Sequence, residues 1–452
     1  MTSYSKLFIF PALFLLSCNK FLEVKPKTSI ADDQTITDAA SANTAVRGIY
    51  NALESNDYYG YTFQTLGFFS GDNIQYVGSQ TVNQQLTNHA VLADLGALST
   101  SWLGIYNTIN RANNVLVKLP ALPAGSGLTD SAKNILLGEA YFLRALAYFD
   151  LARTWGGVQL ITKPTTSADE LPSVKRSSLS ETYAQVLSDL KAAEPLLPAT
   201  TNRIRATKKT VWALLSRYYL YQKDWANAEI YATRLITDNN YTLLKPYNSF
   251  FTGGAANTKE SVFELYYNTA VTNNQASQWQ PSTNGGVGWI KPTDAAVSLL
   301  NDPAIGGTRS TLVQKVVGTN GVTNWYGNLY YRTLGTDPAF LIRIAELFLI
   351  RSEARAQLEN FNGANDDLNA IRSRAGVDSV NIQDKDALLL AIEKENRVEF
   401  AFEDHRWYDL LRTGRAGTVL GIADEKKFLL PIPYAQVAVD PNLDQNPGYK
   451  NN

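Results

Sequence analysis

The sequence is poor in cysteine, histidine and methionine, and it carries no excess of either charge. Cys18 is the single cysteine in 452 residues, so an intrachain disulfide and a cysteine-rich zinc site are both excluded. The two histidines, His89 and His405, stand apart and form no His-Glu-x-x-His motif. The 41 basic residues balance 42 acidic ones, which leaves a net charge of −1 and no electrostatic reason to expect nucleic acid as a partner. No glycine-rich loop ends in Gly-Lys-Ser/Thr, and Gly286-Val287-Gly288 lacks the third glycine and the helix context of a dinucleotide site. A Gly-x-Ser-x-Gly elbow is also missing. No cofactor is therefore expected.

Long hydrophobic runs are scarce too. Residues 7–16 (LFIFPALFLL) form an apolar run behind Lys6. It is far shorter than the about 20 residues of a membrane-spanning helix, and it suits the core of a signal peptide. This predicts a signal peptide over residues 1–17. Leu15-Leu16-Ser17-Cys18 resembles a bacterial lipobox, in which the cysteine is lipidated and becomes the first residue of the mature chain. One acyl chain holds a protein only marginally, so several, palmitate among them, are expected on Cys18. Residues 18–36 read as a polar tether.

What is present is helical periodicity. Hydrophobic residues make up 45% of the chain, enough for a large core. Ala45, Ile49, Ala52 and Leu53 mark a first helix, Trp102, Ile105, Ile109, Ala112 and Leu116 another, and Leu136 to Leu151 a third that stops at Gly156-Gly157. Two segments read as copies offset by 136 positions: one begins at Ser216, the other at Ser352. Trp225 matches Phe361, Ala228 matches Ala364, and Leu235 matches Ile371. Each copy is a helix, a turn bearing an aromatic residue, and a second helix that opens on alanine. This is the logic of a tetratricopeptide repeat, a helix pair that buries its apolar face only by stacking on neighbours. The expected fold is mainly α, a tetratricopeptide-like stack of helix pairs over about 100–240 and 342–414. A long irregular region with short strands, about 240–340, completes it. "SVFELYY" at 261–267 reads as one strand, and eleven of the 29 glycines fall within 253–340. Trp102, Trp155, Trp212, Trp225 and Trp407 sit in helical patterns and are expected in the core.

The densest chemistry lies in "ENRVEFAFEDHRWYDLLRTG", residues 395–414. On one continuous helix Glu395, Glu399 and Glu403 would share a face and repel by a few tenths of a kcal/mol per pair. Cations must therefore lie nearby. The spacing predicts pairs of Glu393 with Arg397, Glu403 with Arg406 and His405 with Asp409, with more from Arg372 and Arg374. A pair of glycosidase carboxylates would look similar, but nothing in the pattern separates an acid from a base, and ion networks also cluster carboxylates. The stretch is read as a structural seam, and no catalytic residue is assigned.

Three separated places resemble the SusD/RagB family of outer-membrane nutrient-uptake lipoproteins: "CNKFLEVKP" at 18–26, the stretch 395–414, and "LLPIP" at 429–433 with "PNLDQNPGY" at 441–449. "WLGIYNTINRANNVL" at 102–116 and "IRIAELFLIRSEA" at 342–354 fit as well, so the resemblance spans nearly the whole chain. Asp404 departs from it, standing where the family usually has glycine. So does Asn396, where a basic residue is common. The resemblance implies a SusD-like domain over 37–452, lipid-anchored at the outer membrane and facing the cell exterior. It further implies capture of oligosaccharides, or of peptides in some members, and delivery to a SusC-like TonB-dependent transporter, without enzymatic activity. A repeat-based surface scaffold and a glycan-cleaving enzyme are the alternatives.

Sugar rings offer apolar C–H faces that suit planar aromatic side chains, with amides and acids for the hydroxyls. Two stretches carry this mixture. One is "FFSGDNIQYVG" at 68–78, with Asp72, Asn73, Gln75 and Tyr76; the other is the irregular region, with Trp279, Trp289, Trp325 and Tyr326. These eight are the expected ligand-binding residues.

Overall fold

The computed structural model describes residues 36–123, 125–165, 174–317, 321 and 323–450. The expected signal peptide, Cys18 and the tether up to residue 35 lie outside the described residues. Helices dominate. The first half holds α1 (Ala39–Glu54), α2 (Thr62–Ser70), α3 (Gln84–Thr87), α4 (Gly96–Lys118), α5 (Asp130–Trp155) and α6 (Leu179–Leu196). Next come α7 (Lys208–Tyr221) and α8 (Trp225–Ile236), then α9 (Gln275–Trp279) and α10 (Asp294–Asn301) inside the irregular region. The C-terminal part holds α11 (Ile344–Gln357), α12 (Phe361–Arg374), α13 (Lys385–Glu399), α14 (Arg406–Arg412), α15 (Ala416–Leu420) and α16 (Tyr434–Val437).

Among the described residues the strands are short and pair antiparallel. β1 (Ile74–Tyr76) pairs with β3 (Ile290–Pro292), β2 (Ser261–Leu265) with β6 (Ala339–Arg343), and β4 (Val313–Val317) with β5 (Thr323–Gly327). The strand read from "SVFELYY" is β2, buried at every position. Two helices that the composition did not suggest, α9 and α10, break up the irregular region.

The 136-residue offset is carried into atomic detail. α7 and α11 begin and end at matched positions, as do the starts of α8 and α12. Ser216 Oγ donates to the Ala228 carbonyl at 2.9 Å, and Ser352 Oγ donates to the Ala364 carbonyl at 2.8 Å. Each bond ties the two helices of a hairpin at their closest crossing, where the alanine lets the backbones approach. The turns match as well. Lys223 and Glu359 both take left-handed backbone, with φ of 57° and 63°, and Asp224 and Asn360 cap the helices that follow. Left-handed backbone costs any residue with a Cβ about 1 kcal/mol, so the same cost at the same place marks one turn built twice.

The main core runs from α1 through the strands, with a second cluster among α11, α12 and α13 and a third under α14 and α15. Trp102, Trp155 and Trp407 are buried as expected. Trp212 and Trp225 are only half-buried. Trp212 sends its indole N–H to Glu194 at 2.8 Å beneath the Arg234 guanidinium. Trp225 borders a cleft of about 480 Å³ shared with Leu389, Leu390, Glu393 and Arg415. Its copy, Phe361, is instead packed against the cluster of α11, α12 and α13.

Candidate functional site

The stretch 395–414 is not one helix. α13 ends at Glu399, the chain turns, and α14 starts at Arg406. Glu403 therefore lies in the turn and does not continue the helical face of Glu395 and Glu399. The cations that hold these acids come from afar. Arg343, wholly buried at the end of β6, reaches Glu260 at 2.8 Å, Glu399 at 2.9 Å and Glu403 at 2.7 Å. Arg309 binds Glu399 at 2.8 Å and Glu395 at 2.5 Å. Arg374 binds Glu260 at 2.6 Å and also contacts Glu399, and Arg372 meets Glu395 at 3.0 Å. Burial alone would raise the Glu399 carboxyl, but Arg374, Arg309 and Arg343 outweigh it and hold the group at about 2.

Of the local pairs read from spacing, His405 and Asp409 approach to 4.0 Å. Glu393 turns to Arg406 and Arg415 instead of Arg397, and Arg397 leaves the seam for Asp72. His405 stacks on Phe400 at 4.3 Å, and burial followed by the surrounding arginines pushes its pKa well down. The imidazole is thus held neutral, and the neighbouring Glu395, Glu399 and Glu403 are each engaged by arginines.

A different place brings the two expected ligand stretches together. β1 and β3 pair Tyr76 with Ile290, and Val77 N–H donates to the Trp289 carbonyl at 2.8 Å. Trp289 thereby meets the first stretch and forms one wall of a cleft of about 230 Å³. Tyr61 and Thr65 of the α2 region, Gln80, Thr100 of α4 and Gln278 of α9 line the rest. Trp289 is half-buried and stands edge-on to Tyr76, centroids 6.3 Å apart at 73°. A Cβ on Gly78 would lie 2.3 Å from the Tyr76 hydroxyl and 2.8 Å from Trp289 Cγ, so bare backbone presses the indole into place. The Tyr61 hydroxyl leans on Gln278 Oε1 at 3.4 Å, and Asn83 reaches Gln80 at 3.3 Å. These bonds are long, and such groups can turn to a ligand at small cost.

The other expected ligand residues are placed differently. Tyr76 is buried behind Trp289, with its hydroxyl unpartnered. Gln75 lies on β1 and donates to the Pro292 carbonyl at 3.1 Å. Asp72 is held by Arg406 at 2.7 Å and Arg397 at 3.0 Å, and buried Asn73 bonds Arg397 and its carbonyl. Trp279 is a correction: it is wholly buried, its N–H meets Gln275, and its ring packs on Phe68 and Phe402. A short helix folds it inward and turns its neighbour Gln278 to the cleft. Trp325 and Tyr326 lie half-buried on β5, outside the cleft wall; Tyr326 accepts from Asn284 at 3.3 Å. Reading the sequence missed Tyr61, Thr65, Gln80, Thr100 and Gln278. The tyrosine-rich run Tyr58-Tyr59-Gly60-Tyr61 was the available signal for the first. Among the described residues no group of three His, Cys, Asp or Glu is placed to hold a metal ion. No helix among them is long and apolar enough to cross a membrane.

Comparison with known proteins gives concordant matches. Residues 20–220 match a SusD-like family described as "Starch-binding associating with outer membrane", and residues 245–428 match the SusD family. SusD-like protein P38 of Formosa agariphila is 28% identical, covering 96% of both chains. A SusD superfamily protein from Bacteroides vulgatus superposes with a TM-score of 0.82 at 21% identity, covering 91% of this chain and 99% of that one. A laminarin-binding SusD-like protein does so with 0.80 at 24%, covering 92% and 100%. Motifs at both ends, the duplicated helix hairpin and these matches agree: the chain belongs to the SusD/RagB family.

Proposed function

We propose that this protein captures oligosaccharides at the cleft between Tyr61 and Trp289 and hands them to a SusC-like TonB-dependent transporter, itself tethered to the outer membrane through lipidated Cys18. The observation that carries the reading is the cleft itself: three aromatic rings converge from five separate segments with the amides of Gln80, Asn83 and Gln278 and with threonine and tyrosine hydroxyls. Aromatic faces with convergent polar groups match the two sides of a sugar ring. Among solved relatives of the same fold are a laminarin-binding protein and surface glycan-binding protein A of Bacteroides uniformis, the latter with a TM-score of 0.79. A peptide ligand and a pure scaffold role have no comparable support. Nor does glycan cleavage, because among the described residues no carboxylate lines this cleft, and Glu399 and Glu403 lie locked in ion pairs.

The test is a glycan array on the chain from residue 18 onward, followed by calorimetry on each hit. Trp289→Ala is expected to weaken binding about tenfold or more, which corresponds to about 1.4 kcal/mol, with the melting temperature little changed. Trp225→Ala, at the cleft shared with Leu389 and Glu393, should leave affinity intact. Binding that survives Trp289→Ala and fails in Trp225→Ala would move the site.

A further inference from the structure

Among the described residues, every side chain that lines the Tyr61–Trp289 cleft is uncharged. Polar contact comes from threonine hydroxyls, the amides of Gln80, Asn83 and Gln278, and the Tyr61 phenol. Burial, and then the neighbouring Tyr76, push that phenol far up, so it remains a neutral donor. The segments leading into the walls carry Asp57 and Asp94, both exposed and both acidic. The cation nearest to Trp289 along the chain, Lys291, is no part of the wall; its ammonium lies 3.5 Å from Asn324 on β5. Charge is abundant elsewhere: the cleft at Trp225 is lined by arginines and carboxylates.

An anion entering a cleft without a cation loses hydration and gains no partner, whereas a hydroxyl is fully served by amides and phenols. The cleft is also small. At about 230 Å³ it falls below the roughly 300–1,000 Å³ of pockets that enclose a whole drug-sized ligand, so it holds one part of a longer chain and leaves the rest in water. Resting on the glycan-capture reading above, we propose that this cleft selects uncharged oligosaccharides, gripping about one ring against Trp289 and Tyr61, and rejects chains that carry a carboxylate or sulfate at the gripped ring.

The experiment compares hexasaccharides of matched length by calorimetry on the chain from residue 18 onward: laminari-, cello-, malto- and xylo-oligosaccharides against oligogalacturonate, oligomannuronate and a sulfated galactan. At least one neutral series should bind, with an affinity that is flat between 50 and 500 mM salt (roughly, because no charge is paired). Every acidic series should bind at least about tenfold more weakly. Trp289→Ala should weaken the neutral binding about tenfold or more, and Gln278→Ala, which removes only a half-buried amide, should weaken it in a chain of unaltered melting temperature. Tight, salt-sensitive binding of an acidic series that is lost in Trp289→Ala would overturn the selectivity and leave glycan capture standing. Neutral binding indifferent to both substitutions would overturn the assignment to this cleft. If no series of either charge binds, glycan capture falls together with the selectivity.

Discussion

Asp404→Asn should change how the stability of this protein depends on pH. Asp404 lies in the turn between α13 and α14, its side chain 8% exposed. One carboxylate oxygen meets Arg153 at 3.2 Å; the other has no partner. That arginine is already engaged by Asp150 at 2.9 Å and lies over the Tyr408 ring. Burial raises the Asp404 carboxyl, Arg153 offsets part of this, Asp150 adds to it, and the balance is about 7 against an ordinary 3.8. The folded state therefore binds this proton more tightly than the unfolded chain does. The stabilisation is fully present below the unfolded value of 3.8 and is lost as the pH rises through about 7. The whole shift corresponds to about 4 kcal/mol, and water entering around a buried charge halves this to ~2 kcal/mol. Asparagine cannot ionise. Any packing cost of its amide is the same at every pH, so the pH-dependent part of the difference isolates the ionisation. In urea unfolding, the stability of Asp404→Asn relative to the parent should rise by about 1–3 kcal/mol between pH 5 and pH 8. A constant difference across that range would refute the argument and show Asp404 to be ionised at little cost.

Further substitutions probe the scaffold and the anchor. Gly67→Ala places a Cβ 1.7 Å from Asp404 Oδ1 and 3.0 Å from the Tyr408 ring, so it should cost about 1–3 kcal/mol as overpacking; Asp404→Gly in the same chain should recover much of that loss, and additive melting shifts would disprove the clash. Arg343→Met leaves Glu260, Glu399 and Glu403 without their shared cation and should lower stability by about 3–5 kcal/mol, visible as a fall in the urea midpoint; a change below about 1 kcal/mol would mean the seam is hydrated and not dry. Cys18→Ala should release the chain from the membrane fraction and abolish metabolic fatty-acid labelling; an unlabelled, soluble parent would end the lipoprotein reading.

How far the sequence could be read depended on how far apart the interacting residues are. The hairpin copies were legible to the residue, because their information is local: serine, turn and alanine recur within twelve positions and fold into the same bonds. The seam was legible in kind and not in pairing. Helical spacing pointed Glu403 at Arg406, yet the helix breaks after Glu399 and Arg343, sixty residues upstream in sequence, takes Glu403. Trp279 was misjudged because composition marks the region 253–340 as irregular, while a five-residue helix inside it turns the ring into the core. Trp289 emerged from the same composition. What placed it was a three-residue ladder between segments more than 200 positions apart, which no periodicity announces.

The distribution of charge explains why the two kinds of residue should respond separately to mutation. A chain with nearly equal numbers of acids and bases can still build a neutral cleft if its charges are committed elsewhere. Here many are paired inside the scaffold, where Glu395, Glu399 and Glu403 are neutralised by arginines from three other segments. Such pairs fix how β6, α12 and α13 sit together, and they present no group to a ligand. The cleft draws on the opposite inventory of rings, amides and hydroxyls, held by single strand pairings and by the bare backbone of Gly78. Changes in the seam should therefore move the melting temperature and leave affinity alone, while changes at Trp289 or Gln278 should do the reverse. A seam variant that kept its stability and lost its ligand would break this division.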